Sequence, residues 1–443
     1  MKVQRVLLLL LLILTALAAC SPGHLGSNVI AFVRAGRLWT IDPDGANAFA
    51  IVTEGPPVVG YNWSPNHQIV AFRTLDPDFA RTSAAKQLSN NAVTGLVGDV
   101  PSTLNTIGVD GGTPINTAFS SPDIRYSNLI WSASGTRLLY RQTALANPRN
   151  PNEASWVIAQ NDQPGGIAAK SLPGTYSIPS FSYNNQKTIG ISAGGIFTTS
   201  LAGTDLQTLT HGPLPGHPLP APLERVLWQP AHHDTNILYA VSISKQTAAS
   251  TDMPTVQLIM QAMNGHTTIL TTCACTQFAW SRDGNSIVYS TGASYTVLNV
   301  ASGVAFSITG EENSVPYWSP DSKVLLLDGM HTLVLAQIAE RQYKDLLSDG
   351  STGSEKTFPL VPTASTLLQP VANSIWAADS HHFLFLTHGR LRWQGKTLSS
   401  GKGLYTVAID DHGQIQGAPA VVDTGNDIQA GWTYQDANTS FLY

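Results

Sequence analysis

Gly190-Ile191-Ser192-Ala193-Gly194 has the G-x-S-x-G spacing that, on a sharp strand-to-helix turn, exposes a nucleophilic serine. That chemistry needs a parallel sheet beneath the turn and a helix after it. Here the segment joins two short β-branched runs, so it reads as a glycine-rich hairpin turn. Histidines stand in adjacent pairs at His232-His233 and His381-His382. Neighbouring turn residues rarely point at one metal ion, and no H-E-x-x-H is present, so both pairs read as solvated turn residues. Asp42-Pro43-Asp44-Gly45 begins like a calcium loop but lacks the further oxygen ligands and the distant Glu, and reads as a turn between strands. Cys273 and Cys275 are one residue apart. A bond across one residue is hard to form without strain, and a metal would need ligands that nothing nearby supplies, so free, partly buried thiols are expected. A strained or intermolecular disulfide and a metal site are the alternatives. Trp393, which follows Arg390 and Arg392 in a long connection, is the best candidate for an exposed ligand contact. No catalytic residue, metal ligand or cofactor site is expected.

The elements that must position these residues are set by a repeat. Trp63-Ser64-Pro65-Asn66, Trp131-Ser132, Trp280-Ser281-Arg282-Asp283-Gly284 and Trp318-Ser319-Pro320-Asp321 each precede a short apolar run such as Val324-Leu325-Leu326-Leu327. Weaker copies begin at Phe181-Ser182, Trp228-Gln229-Pro230, Trp376-Ala377 and Trp432-Thr433. Seven of the ten tryptophans sit at this one point, which implies packing between neighbouring sheets rather than sugar binding. The spacing between copies is irregular but fits a unit of about 40 to 50 residues, a four-stranded propeller blade with its loops. Val29–Phe32, Arg37–Ile41 and Phe49–Val52 would form strands two to four of a blade whose first strand comes from Ala430–Tyr434. Sharing one blade between the termini hides two sheet edges. The expected fold is therefore an all-β propeller of eight four-stranded blades, or seven if one weak unit is an insertion.

In such a blade the connections from strand two to three, and from strand four onward, leave by one face. The long connections at 75–103, 142–154, 244–254, 388–402, 213–224 and 348–370 all belong to that face, where binding is expected. The opposite face keeps the short Ser-Pro-Asp-type turns.

The chain has 443 residues, 24 Lys+Arg against 29 Asp+Glu, a net charge of −5, 12% charged residues and 43% hydrophobic ones. A weakly acidic, sparsely charged surface argues against nucleic acid as a partner, and the apolar content argues against wholesale disorder. Lys2 and Arg5 precede an apolar run from Val6 to Ala16, too short for a comfortable membrane span, and small residues follow it. Leu17-Ala18-Ala19-Cys20 then resembles the lipobox of bacterial lipoproteins. The resemblance implies a signal peptide at 1–19, a lipidated Cys20 with a tether at 20–27, and a mature protein anchored to the cell membrane or outer membrane on the extracytoplasmic side. The propeller would occupy 28–443.

The Trp-Ser-Pro-Asp-Gly element before an apolar strand, followed by a strand ending near Asp-x-Asp-Gly, resembles the TolB-type β-propeller repeat over roughly residues 28 to 443. The expected function is a lipid-anchored binding or scaffold module for an envelope protein, peptide or glycan. The alternative is an extracytoplasmic hydrolase or lyase with its site in the central mouth of the propeller.

Overall fold

The computed structural model describes residues 28–82, 100–118, 121–145, 155–160, 170–172, 177–202, 204–230, 235–243, 254–348, 368–369, 374–387, 391–393, 396–399, 403–425 and 427–434. Residues 1–27, with Cys20, and Arg390 and His232-His233 lie outside them. Eight four-stranded antiparallel sheets follow one another along the chain. Blade 1 is Ile428–Trp432 (inner), Ile30–Arg34, Arg37–Ile41 and Phe49–Val52; blade 2 is Val58–Trp63, Ile69–Leu75, Ser102–Gly108 and Gly111–Ala118. Blade 3 is Ile124–Trp131, Arg137–Ala144, Ser155–Gln160 and Lys170–Ser171; blade 4 is Ser180–Phe181, Lys187–Ser192, Gly195–Ser200 and Gln207–Thr208. Blade 5 is Val226–Trp228, Asn236–Ser242, Val256–Ala262 and Thr267–Cys273; blade 6 is Gln277–Trp280, Ser286–Thr291, Ser294–Asn299 and Ala305–Thr309. Blade 7 is Val315–Trp318, Val324–Asp328, Leu333–Gln337 and Gln342–Asp345; blade 8 is Leu368–Gln369, His382–Thr387, Gly403–Ile409 and Ile415–Asp423. The weak unit at Phe181 forms its own sheet, which makes the ring eight-bladed.

The middle of each second strand is largely apolar because both of its faces are covered. Side chains alternate across a strand, so Val324 and Leu326 enter the core shared with blade 8, while Leu325 and Leu327 enter the core shared with blade 6. The repeated tryptophans are buried at every copy. Two also tie blades together: the Trp131 indole N–H donates to the Asn62 carbonyl of blade 2 (3.1 Å), and that of Trp376 to the Tyr317 carbonyl of blade 7 (3.0 Å).

The serine after the aromatic explains the rest of the motif. Buried Oγ atoms of Ser64, Ser132, Ser182, Ser281 and Ser319 each accept the backbone N–H five residues on, at 2.9–3.0 Å. Four of them donate to the Asn or Asp two residues on, at 2.6–2.8 Å. The turns then bond to one another around the ring. Asn66 donates to the Ser134 carbonyl, the Ser134 N–H to Asn185, the Asp283 N–H to Ser322 and the Asp321 N–H to Ser380. Gln229 donates to the Gly284 carbonyl, and Asn28 to Asp379. This face is therefore a belt whose polar groups are spent on its own turns.

The ring closes as the sequence predicts. Ile30–Arg34 pairs antiparallel with Ile428–Trp432, with Ile30 opposite Trp432. On the other face Arg34 clamps the returning chain, with Nε 2.7 Å from Asp427 and Nη2 2.7 Å from Asp423. Burial pushes the Asp427 carboxyl up and the Arg34 guanidinium pulls it back.

Two expectations are corrected by the fold. Cys273 and Cys275 are not free thiols: they form a disulfide, since the chain turning out of the last strand of blade 5 brings their Cα atoms to 5.1 Å. The connection at 388–402 is not simply a loop, because Leu391–Trp393 and Lys396–Ser399 join Leu347–Ser348 in a separate three-stranded sheet. The connection at 213–224 packs onto blade 5. Leu214, Leu219 and Leu223 are buried, and the His217 Nδ1 meets Glu224 at 2.8 Å while its Nε2 meets the Ala240 carbonyl at 2.8 Å.

Candidate functional site

Strand direction decides what reaches the loop-bearing mouth. Inner strands start there and second strands end there, so Arg125, at the start of the blade 3 inner strand, and Arg73 and Arg141, near the ends of second strands, converge at its rim. Arg73 lies directly across the sheet from Gly60. A Cβ at Gly60 would come within 2.9 Å of the Arg73 Nη2, so the missing side chain makes room for the guanidinium. Arg73 is 5% exposed, and its Nη1 donates to the Tyr126 carbonyl at 2.5 Å.

Burial first, and then the charge of Arg125, push Arg73 down to about 10. Arg125 is lowered by burial and by Arg141, and Arg141 by burial. Tyr126 and Tyr140 pack edge to face beside them, with ring centroids 5.6 Å apart, and burial pushes Tyr126 up to about 12. Arg225, at the mouth end of the blade 5 inner strand, is also lowered by burial to about 10.

Blade 7 supplies the opposite charge. Glu311 accepts the His331 N–H at 2.8 Å and meets the His331 Nδ1 at 2.8 Å. Asp328 closes the second strand of the blade, where burial and then the nearby Glu311 push its carboxyl up to about 8. The raised carboxyl favours its protonated form, which can donate a hydrogen bond. Among the described residues no group of three His, Cys, Asp or Glu side chains is arranged to hold a metal ion.

The residues singled out from sequence fall elsewhere. Trp393 is 5% exposed and stacks on Phe385 at 5.8 Å, because its strand folds back onto the end of blade 8. It is a core residue, not an exposed contact. Arg392 is half-buried beside it, and Arg390 lies outside the described residues. Ser192 closes the hairpin from Lys187–Ser192 to Gly195–Ser200, its Oγ accepting the Gly194 N–H at 3.2 Å. His381 and His382 take separate partners, Asp411 and Asp379. Asp42-Pro43-Asp44-Gly45 is the turn between strands three and four of blade 1. The arginines of blades 2 and 3 carry no local motif. Their only signal in the sequence is a charged residue inside an otherwise apolar strand, as in Ile69-Val70-Ala71-Phe72-Arg73.

No family model matches the chain, and no curated protein matches it either. Similar solved structures include an oligogalacturonate lyase in complex with manganese, at 12% identity and a TM-score of 0.45 over 68% of this chain and 82% of that one. TolB from Acinetobacter baumannii is similar at 14% identity and a TM-score of 0.36, over 69% of this chain and 74% of that one. A eukaryotic initiation factor is similar at 10% identity and a TM-score of 0.49, over 93% of this chain and 100% of that one. At these values none of them bears on what this chain does.

Proposed function

We propose that this protein is a lipid-anchored, extracytoplasmic β-propeller that binds an envelope protein, peptide or glycan through its loop-bearing face. The observation that carries the reading is the asymmetry of the two faces. One is a belt of turns bonded to each other, whereas the other collects the long connections, the added three-stranded sheet and the desolvated arginines. Binding sites favour loops held by a rigid scaffold. Attachment is proposed on the lipobox-like Leu17-Ala18-Ala19-Cys20.

Two measurements test this. Cys20→Ser should move the protein out of the membrane fraction or leave its signal uncut; normal processing with unchanged membrane retention would remove the anchor. Crosslinking from the loop-bearing face in solubilised envelope should recover a specific partner or glycan that crosslinkers on the turn-bearing face do not. Equal recovery from both faces would reject the choice of face. The raised Asp328 carboxyl, at the mouth-side end of its strand, favours a second reading, a hydrolase or lyase using it as a proton donor. Turnover of a glycan or peptide panel that Asp328→Asn abolishes would support that reading over a binding module.

A further inference from the structure

A carboxylate that holds one nitrogen of an imidazole leaves the other free to take a proton. Blade 7 carries this arrangement on the loop-bearing side. Its second and third strands meet in a hairpin between Asp328 and Leu333, closed by the Gly329 N–H donating to the Thr332 carbonyl at 2.9 Å. The Glu311 carboxylate, from the connection entering the blade, seats against that turn. Its Oε2 accepts the His331 N–H at 2.8 Å and the Thr332 N–H at 3.3 Å, while its Oε1 meets the His331 Nδ1 at 2.8 Å. The backbone of Glu311 is fixed as well, its carbonyl accepting the Tyr295 hydroxyl at 3.0 Å and the Ser314 N–H and hydroxyl at 3.1 and 2.9 Å. Gly329 keeps the seat open, because a Cβ there would come within 2.5 Å of the Glu311 Oε2. Pinning the turn needs only the two backbone N–H groups, which almost any residue at 331 would supply. The imidazole adds a further contact and leaves its Nε2 without a partner among the described residues, on a side chain 31% exposed. With Nδ1 donating to the carboxylate, the Nε2 of the neutral ring holds the lone pair.

We propose that His331 is a general base that activates water for ester hydrolysis at the mouth of blade 7, with Glu311 as its positioning residue. The His331 Nε2 takes a proton from water as the water oxygen bonds to the acyl carbon. The carbon–oxygen bond to the alcohol then breaks, and the imidazolium returns the proton to the leaving oxygen. Water and ester become acid and alcohol, and the ring ends as it began. The positive charge on the ring between the two transfers lies against the Glu311 carboxylate, which stabilises it. Acyl transfer is the class that one base cycling one proton can complete, whereas glycoside hydrolysis uses two carboxyl groups with separate tasks, and Glu311 is committed to the imidazole. The proposal rests on the second reading, hydrolysis at the loop-bearing face, and supplies its base and the bond it breaks.

The test is hydrolysis of p-nitrophenyl acetate by the purified chain, against free imidazole at the concentration of the protein's histidines. Saturable turnover above that control is expected. His331→Gln, which keeps the backbone N–H on Glu311, should lower kcat at least tenfold with an unchanged melting temperature. Glu311→Gln keeps an oxygen for the turn but removes the charge, and should lower kcat with KM unchanged. If Glu311→Gln melts early, the His331→Gln comparison decides alone. His266→Gln, which removes an exposed histidine on the turn-bearing face, should change nothing. No saturable turnover, or equal turnover by the His331→Gln and wild-type proteins, overturns the proposal. If glycans or peptides are turned over in an Asp328-dependent way while esters are not, the ester base falls and the second reading stands. If nothing is turned over, both fall.

Discussion

Asp328 shows most directly how position changes the chemistry of a side chain. It ends an apolar strand, and burial with the charge of Glu311 raises its carboxyl from 3.8 to about 8. The native protein then keeps a proton that the unfolded chain releases above about pH 4, so stability falls as pH rises from about 4 to 8, by at most about 1.4 kcal/mol per unit. Asp328→Asn should remove that slope. Urea unfolding at pH 5 and pH 8 should show the wild type losing stability relative to the variant; parallel behaviour would mean that Asp328 is ionised and solvated. The motif serines offer a second case. Ser319→Ala would leave the buried Val324 N–H without its side-chain acceptor and remove the hydroxyl donor to Asp321, and should cost roughly 1 to 3 kcal/mol in urea unfolding. A change below about 0.5 kcal/mol would show that the turn stands without the serine.

At the scale of the blade, the shared sheet is the element on which closure depends. Trp432 is 1% exposed and packs with Phe383, Leu384 and Ile30 of blades 8 and 1. Trp432→Ala should cost about 3 to 5 kcal/mol by urea unfolding. Deleting residues 428–443 should cost more, because Ile30–Arg34 loses its ladder partner and Arg34 can no longer reach Asp427. A truncated protein that melts within a degree or two of the parent would refute the shared blade. The added three-stranded sheet joins the connections of blades 7 and 8, and through Trp393 it packs on the same core.

For the whole molecule, strand order and tether length together constrain orientation. The first ordered strand is the second of its blade and starts on the turn-bearing face, where Asn28 bonds Asp379. Eight residues separate Cys20 from Val29, a reach of roughly 25 to 30 Å when extended. A lipid on Cys20 would hold the turn-bearing face toward the membrane and present the loops outward. In proteoliposomes, Thr82→Cys and Glu312→Cys on the loop-bearing face should react with a bulky maleimide faster than Gln68→Cys and Lys323→Cys on the turn-bearing face. The native Cys273 and Cys275 are bonded to each other and silent. Equal or reversed labelling would overturn the orientation.

Blade number, strand order, the closing blade and the burial of the tryptophans were all legible in the residues, because a repeat writes the same local physics eight times. Periodic apolar runs, turn residues and a fixed aromatic suffice to place strands relative to their sequence neighbours. What the sequence could not disclose depends on residues far apart in it. Trp393 looked exposed beside two arginines and is buried, since its strand pairs with Leu347–Ser348 about forty-five residues earlier, a register no local pattern encodes. The Arg73, Arg125 and Arg141 run arises only when blades 2 and 3 pack side by side, and the raised Asp328 carboxyl only when folding buries it near Glu311. Local pattern determined the scaffold; the chemistry at its mouth was decided by packing between blades, because desolvation and charge proximity are properties of neighbours in space.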